Sequence, residues 1–244
     1  MMVIEKKIYY CWFGKGELPP RTKAYIASWK RHMPAYEIIE INETNFDIAA
    51  FPYAQGAYET GRYAFVSDCA RVFYLQTYGG VYFDTDVEVR KDLSPFISAH
   101  TMDVLLAQEW YEGELTGVNT SVIVSRNDCK LWRDLLEYYT MNAFVDEAEP
   151  TTINAYISRL LFKNSEYKYK DEAQTLSYKG DVIAIVAAKY LMLDTADAFA
   201  VHHLGGTWKQ TLPLKRRIRR RIGMFLKRVI GKRGFERLWH KKEK

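Results

Sequence analysis

The chain has 244 residues, enough for one α/β domain of ordinary size and too few for two well-developed domains with linkers. An apolar fraction of 48% beside 27% charged residues is that of a globular protein, and no stretch approaches the ~20 apolar residues of a membrane-spanning helix. The net charge of +5 divides unevenly, because residues 215–244 carry 14 Lys or Arg against two Glu, which leaves an acidic body and a strongly basic tail.

Taken in chain order, Met1 to Lys7 lacks the apolar region and small-residue cleavage site of a signal peptide, so no export is expected. Lys7 to Phe13 is rich in aromatic residues and ends at Gly14, which predicts a buried strand running into a loop. Pro19 and Pro20 open a helix with an apolar stripe of Tyr25, Ile26 and Trp29 that stops at Met33-Pro34. Tyr36 to Ile41 is a second strand. Arg62 to Tyr78 keeps a helical period until Gly79-Gly80 ends it, and Val81 to Phe83 is a short strand. Val104–Ala107 and Ser121–Val124 read as strands, Asp128–Met141 as a helix capped by Asp128, and Thr151–Phe162 as another helix. Asp181–Val186 and Ala198–His202 read as late strands. Alternating strands and helices predict an α/β domain over residues 1–212 with a mostly parallel central sheet, followed by a tail over 213–244. Cys11, Cys69 and Cys129 are far apart and read as reduced, packed thiols, in keeping with a cytoplasmic location.

The segment Gly79-Gly80-Val81-Tyr82-Phe83-Asp84-Thr85-Asp86 carries the chemistry. An apolar strand ending in Asp-x-Asp sets two carboxylates at the carboxyl edge of a sheet, where open α/β folds bind ligands. Such a pair attracts Mn²⁺ or Mg²⁺, whose remaining positions suit the phosphate oxygens of a substrate. An Asp-x-Asp in an ordinary turn is the alternative. Asp68 and Arg71, three apart on the preceding helix, form either a surface ion pair or a pair that reaches over the sheet edge to sugar hydroxyls and phosphate.

Ser67-Asp68-x-x-Arg71 followed by Gly80-Val-Tyr-Phe-Asp-Thr-Asp-Val87 resembles the signature of glycosyltransferase family thirty-two, sugar transferases with a GT-A fold, a Rossmann-like architecture that binds nucleotide sugars. Ile8 to Gly14 is similar to that family's first strand, where Trp12 holds the position of an aromatic residue that packs on the nucleobase; a core tryptophan is the alternative. Ala200 to Trp208 resembles the family's His-His followed by Ser-Trp, with Thr207 in place of Ser. The resemblance implies that His203 or His202 completes the metal site and that Thr207 and Trp208 contact the diphosphate. His203 is favoured over His202 as the metal or phosphate ligand because it stands directly before Leu204-Gly205-Gly206. Asn119 enters as a donor or acceptor contact. The resemblance further implies a nucleotide-sugar donor, UDP-linked, transfer with retention, and a glycan acceptor in surface or capsular polysaccharide synthesis. A metal-dependent phosphoryl-transfer enzyme and an adaptor on an inactive α/β scaffold are the rival readings.

In the tail, Leu214, Ile218, Ile222, Phe225 and Val229 line one helical face among arginines and lysines. Such a helix suits an anionic cytoplasmic membrane surface, and with it a lipid-linked acceptor, better than nucleic acid. Packing on the body is the alternative.

Overall fold

Burial on both faces explains why the first strand reads as continuously apolar: in β1 (Lys7–Cys11) every residue after Lys7 is buried. The computed structural model describes residues 4–111, 113–146 and 151–204. Thr207, Trp208 and the basic tail therefore lie outside the described residues. α1 (Pro20–His32) is entered through Pro19 and buries Tyr25, Ile26 and Trp29. β2 (Glu37–Ile41) pairs parallel with β1. A single 3-10 turn leads to α2 (Pro52–Glu59), and α3 (Tyr63–Tyr78) ends where Gly79 takes φ 65°. A Cβ at Gly79 would meet the backbone nitrogen of Asn127 at 2.7 Å, so position and conformation both demand glycine there.

β3 (Gly80–Phe83) is followed by β4 (Val87–Val89), α4 (Ser94–Ser98) and the long hairpin of β5 (Val104–Tyr111) and β6 (Glu114–Ser125). The rest of the chain forms α5 (Lys130–Met141), α6 (Ile153–Asn164), β7 (Gln174–Tyr178), β8 (Asp181–Val186), α7 (Ala188–Leu191) and β9 (Ala200–His202). The main sheet has seven strands in the order β2-β1-β3-β6-β5-β8-β7. Only β6 and β7 run against the other five strands, so β1, β3 and β5 end on the same edge. Each face of the sheet carries its own core. Val66, Leu75, Trp132, Leu135 and Ile157 fill one, and Ile26, Trp29, Val87 and Leu191 the other. Among the described residues, no helix is long and apolar enough to cross a membrane.

Several elements depart from expectation. The strands Val104–Ala107 and Ser121–Val124 are the inner parts of longer ones, and the last strand joins β4 in a separate two-stranded sheet. Asp128 does not cap α5. It sits at φ 54° and pairs with Arg133, while Cys129 occupies the cap position and contributes no side-chain bond. The cap comes from Asp181 on β8, whose Oδ2 accepts from the amides of Lys130 (2.5 Å) and Leu131 (3.3 Å). A carboxylate at a helix N-terminus satisfies orphan amides and meets the positive end of the dipole, whatever its place in the sequence. Asp181→Ala is therefore expected to destabilise by about 2 kcal/mol in thermal or urea denaturation, whereas Asp128→Asn, which keeps a residue tolerant of positive φ at an exposed position, is expected to leave the melting temperature nearly unchanged.

Candidate functional site

Asp84, Thr85 and Asp86 form the turn between β3 and β4, closed by a bond from the Val87 amide to the Asp84 carbonyl (3.0 Å). The turn is held from both sides. The Asp84 amide donates to Ser121 O (2.8 Å), and behind it Trp29 Nε1 of α1 donates to Val87 O (2.8 Å). β4 then pairs antiparallel with β9, matching Val87 to His202. This pairing carries His202 beside the aspartates, with Nε2 at 3.2 Å from Asp86 Oδ1. One ligand atom from each of Asp84, Asp86 and His202 can be chosen so that all lie within 4.8 Å of one another.

The residues fit a divalent cation. His202 Nδ1 is buried without a hydrogen-bond partner among the described residues, and two carboxylates with one imidazole suit Mn²⁺ better than Mg²⁺, which prefers oxygen alone. Burial works to lower the His202 pKa, but the hydrogen bond to Asp86 and the charges of Asp86, Asp84 and Glu109 outweigh it, and the net shift is upward. Of the two histidines, His202 is the one that lies with Asp84 and Asp86 among the described residues. His203 Nε2 contacts Glu88 Oε2 at 2.8 Å and its ring stacks on Tyr25 at 4.8 Å between centroids. Adjacent strand residues point to opposite sides, and pairing with β4 turns His202 toward the aspartates.

Asp68 and Arg71 do share one helix face, but they are not a surface pair: they are 7% and 5% exposed. Arg71 Nη2 lies 3.1 Å from Asp68 Oδ1 and 3.2 Å from Asp84 Oδ1. Its Nη1 donates to Thr120 O (3.1 Å), and the guanidinium lies over the Tyr82 ring at 4.4 Å. Tyr82 adds a bond from its hydroxyl to Asp84 Oδ1 (3.0 Å). Arg71 thus orients Asp84 from below. Burial raises the Asp68 pKa to about 6; Arg71 works against that shift and the charge of Asp84 adds to it.

Trp12 lies just past β1, half-buried against the core that contains Trp29, with Nε1 donating to Gly16 O (2.5 Å). It shares the sheet edge with Asp84, and its packing gives it the core role as well. Asn119 is buried. Its Oδ1 accepts from Ser121 N (3.0 Å) and Ser121 Oγ (2.5 Å), and its Nδ2 has no partner among the described residues. It lies where β6 slips in register against β5, between the pairs Leu105–Val124 and Ala107–Asn119. Bulges re-aim side chains beside functional sites, and here Asn119, Thr120 and Ser121 all turn to polar tasks.

Sequence reasoning missed a polar chain joined to this bulge. Thr120 Oγ1 bonds Asn154 Oδ1, Asn154 Nδ2 donates to Glu109 Oε1 (2.5 Å), and Thr116 Oγ1 donates to Glu109 Oε2 (2.7 Å). The change from apolar Leu105-Leu106-Ala107 to Gln108-Glu109 falls inside β5, which continues to Tyr111, so a polar position there was readable in the sequence and its partners were not.

Residues 19–110 match the model of the glycosyltransferase sugar-binding region containing DXD motif, and the matched stretch contains Asp68, Arg71, Asp84 and Asp86. No curated protein matches in sequence. Among solved structures, PaToxG glycosyltransferase is similar at TM-score 0.50 and 16% identity, over 66% of this chain and 69% of that one. A glycosyltransferase involved in the glycosylation of the major capsid of PBCV-1 gives TM-score 0.45 and 14% identity over 83% and 96%. Galactosyltransferase LgtC in complex with donor and acceptor sugar analogs gives 0.42 and 12% over 82% and 87%. The fold is of the GT-A type, and with a DXD sugar-binding region on it the chain is a transferase of the glycosyltransferase class.

Proposed function

We propose that the chain is a metal-dependent glycosyltransferase that moves a sugar, with retention, from a nucleotide sugar, UDP-linked, to a glycan acceptor of surface or capsular polysaccharide. The observation that carries this reading is the convergence of Asp84, Asp86 and His202 at the carboxyl edge of β3. A bound Mn²⁺ or Mg²⁺ supplies positive charge to a diphosphate as its bond to the sugar breaks. The protein's own groups do the rest. Arg71 and Tyr82 fix Asp84, β9 fixes His202, and Trp12 offers an aromatic surface on the β1 side for a nucleobase. Thr207 and Trp208 are assigned to the diphosphate by sequence alone. With retention the departing phosphate can take the acceptor's proton, so no separate base is required. The basic tail supports a place on the cytoplasmic membrane surface, beside a lipid-linked acceptor.

The test is binding and slow hydrolysis of a panel of UDP- and GDP-sugars by the full chain, with Mn²⁺ or with chelator. Metal-dependent release of nucleotide from one donor is expected; a folded protein that binds none of them under either condition refutes the reading. Proton competition gives a second check. Protonated His202 cannot ligate, and its pKa is raised above 6.5, so Mn²⁺ affinity measured by calorimetry is expected to hold at higher pH and to fall as pH drops through that raised value. His202→Ala is expected to remove most of this dependence, and His203→Ala to leave it.

A further inference from the structure

Glu109 has been used so far only as a charge near enough to His202 to raise its pKa. Among the described residues it makes no ion pair; its partners Asn154 and Thr116 are uncharged and each donates one hydrogen bond. Both of those donors are themselves fixed. Asn154 sits in the first turn of α6 and is tied through Thr120 to Arg71, and Thr116 lies on β6 beside Gly117, the register partner of Glu109. A half-buried carboxylate that takes one bond from a neutral donor on each oxygen has lone pairs left to accept further hydrogen bonds.

The strand order says what lies within reach. Trp12 follows β1, Asp84 ends β3, and Glu109 is on β5, with β6 between β3 and β5. At ~4.8 Å per strand, Glu109 is roughly 10 Å across the sheet from Asp84, on the side away from Trp12. A diphosphate at the aspartates with its nucleoside toward β1 directs its sugar toward β6 and β5. The interval leaves room for one sugar ring. Asn119 Nδ2, buried and unpartnered on β6, lies in that interval in strand order, and Trp110 continues the edge beyond Glu109, half-buried, with Nε1 on Asp171 Oδ2 (2.8 Å).

We infer that Glu109 receives a carbohydrate hydroxyl in this site, from the transferred sugar or from the acceptor. The inference rests on the transferase reading. It makes Asn154 and Thr116 positioning residues for Glu109.

The experiment compares wild type with Glu109→Gln and Glu109→Asp in Mn²⁺ for three readouts: hydrolysis of the preferred nucleotide sugar without acceptor, transfer from it to a panel of methyl hexosides, and Mn²⁺ affinity. A lost charged hydrogen bond predicts a fall of roughly 10- to 100-fold for Glu109→Gln, with a smaller fall for Glu109→Asp, which keeps the charge. A fall in transfer with hydrolysis unchanged assigns the hydroxyl to the acceptor. A fall in hydrolysis and donor affinity with Mn²⁺ affinity unchanged assigns it to the transferred sugar. Unchanged hydrolysis and transfer overturn the inference, as does a loss that follows a loss of Mn²⁺ affinity, which would mean that Glu109 acts only on the metal site, through the Asn154–Thr120–Arg71 chain or by its charge on His202. A wild-type protein that binds no nucleotide sugar instead overturns the transferase reading itself.

Discussion

Replacing Arg71 by alanine is expected to destabilise the protein by about 3–5 kcal/mol, because it leaves the buried Asp68 and the partly buried Asp84 facing each other without a cation. For a domain of this size that is a fall in melting temperature of roughly 10 °C. Arg71→Lys is expected to recover only part of the loss. One ammonium cannot reach Asp68, Asp84 and Thr120 together or lie flat on Tyr82. The penalty also has a predicted pH dependence. Asp68 already has a pKa raised to about 6, and removing Arg71 takes away the group that opposes the rise. At acid pH Asp68 is neutral in the variant, and the repulsion with Asp84 disappears. The stability gap between Arg71→Ala and wild type should therefore be widest above the variant's further raised Asp68 pKa, narrow as the pH falls from there toward 6, and change little below it, and Asp68→Asn added to Arg71→Ala should narrow it wherever Asp68 is still charged. A gap independent of pH, unaffected by Asp68→Asn, would show that lost packing and not uncompensated charge dominates.

The second large effect is on activity. Asp84→Ala with Asp86→Ala is expected to abolish measurable Mn²⁺ binding and to reduce nucleotide release from the donor by roughly 10³-fold or more, the scale of losing a preorganised electrostatic stabiliser of the leaving group. The two single variants should not be equivalent. Asp84 is the anionic partner of Arg71 and receives the Tyr82 hydroxyl, so Asp84→Ala is expected to cost stability as well as metal. Asp86 pairs with the His202 imidazole at 3.2 Å, a weaker partner than a buried guanidinium, and Asp86→Ala is expected to lose the metal with a smaller change in melting temperature. Equal destabilisation by both would contradict the division of labour between them.

What the sequence showed, and what it hid, divides by the range of the contacts. The strand–turn around Asp84 and Asp86 was legible because it is local: an apolar run, two glycines and two acids within ten residues. Asp68 and Arg71 were legible as a pair because helical spacing fixes their common face. Their burial was not, since it depends on α3 lying beside α5 and α6. The choice between His202 and His203 turned on which side of β9 faces the aspartates, and that is set by pairing with β4 across more than half the described chain. Proximity to a glycine loop carried no information about it. The same holds for Asp181 at the N-terminus of α5 and for the bulge at Asn119–Ser121, which create polar partnerships between segments far apart in sequence. The basic tail was legible as composition only.

The pairing of β4 with β9 has a kinetic consequence for how the site comes into being. Asp84 and Asp86 belong to a segment whose neighbours, α3 and β3, are adjacent in sequence, so the two carboxylates can be presented early, by short-range folding. His202 reaches them only by closing a loop of more than a hundred residues, an entropic cost met once the rest of the sheet exists. The third ligand is thus the last to arrive, both as the chain emerges in synthesis and as it folds. A half-formed chain offers two acids and little affinity for a cation, and a finished one offers three ligands. A cation held by all three, as proposed, would bind only the completed fold and would stabilise the joining of residues 84–86 to His202.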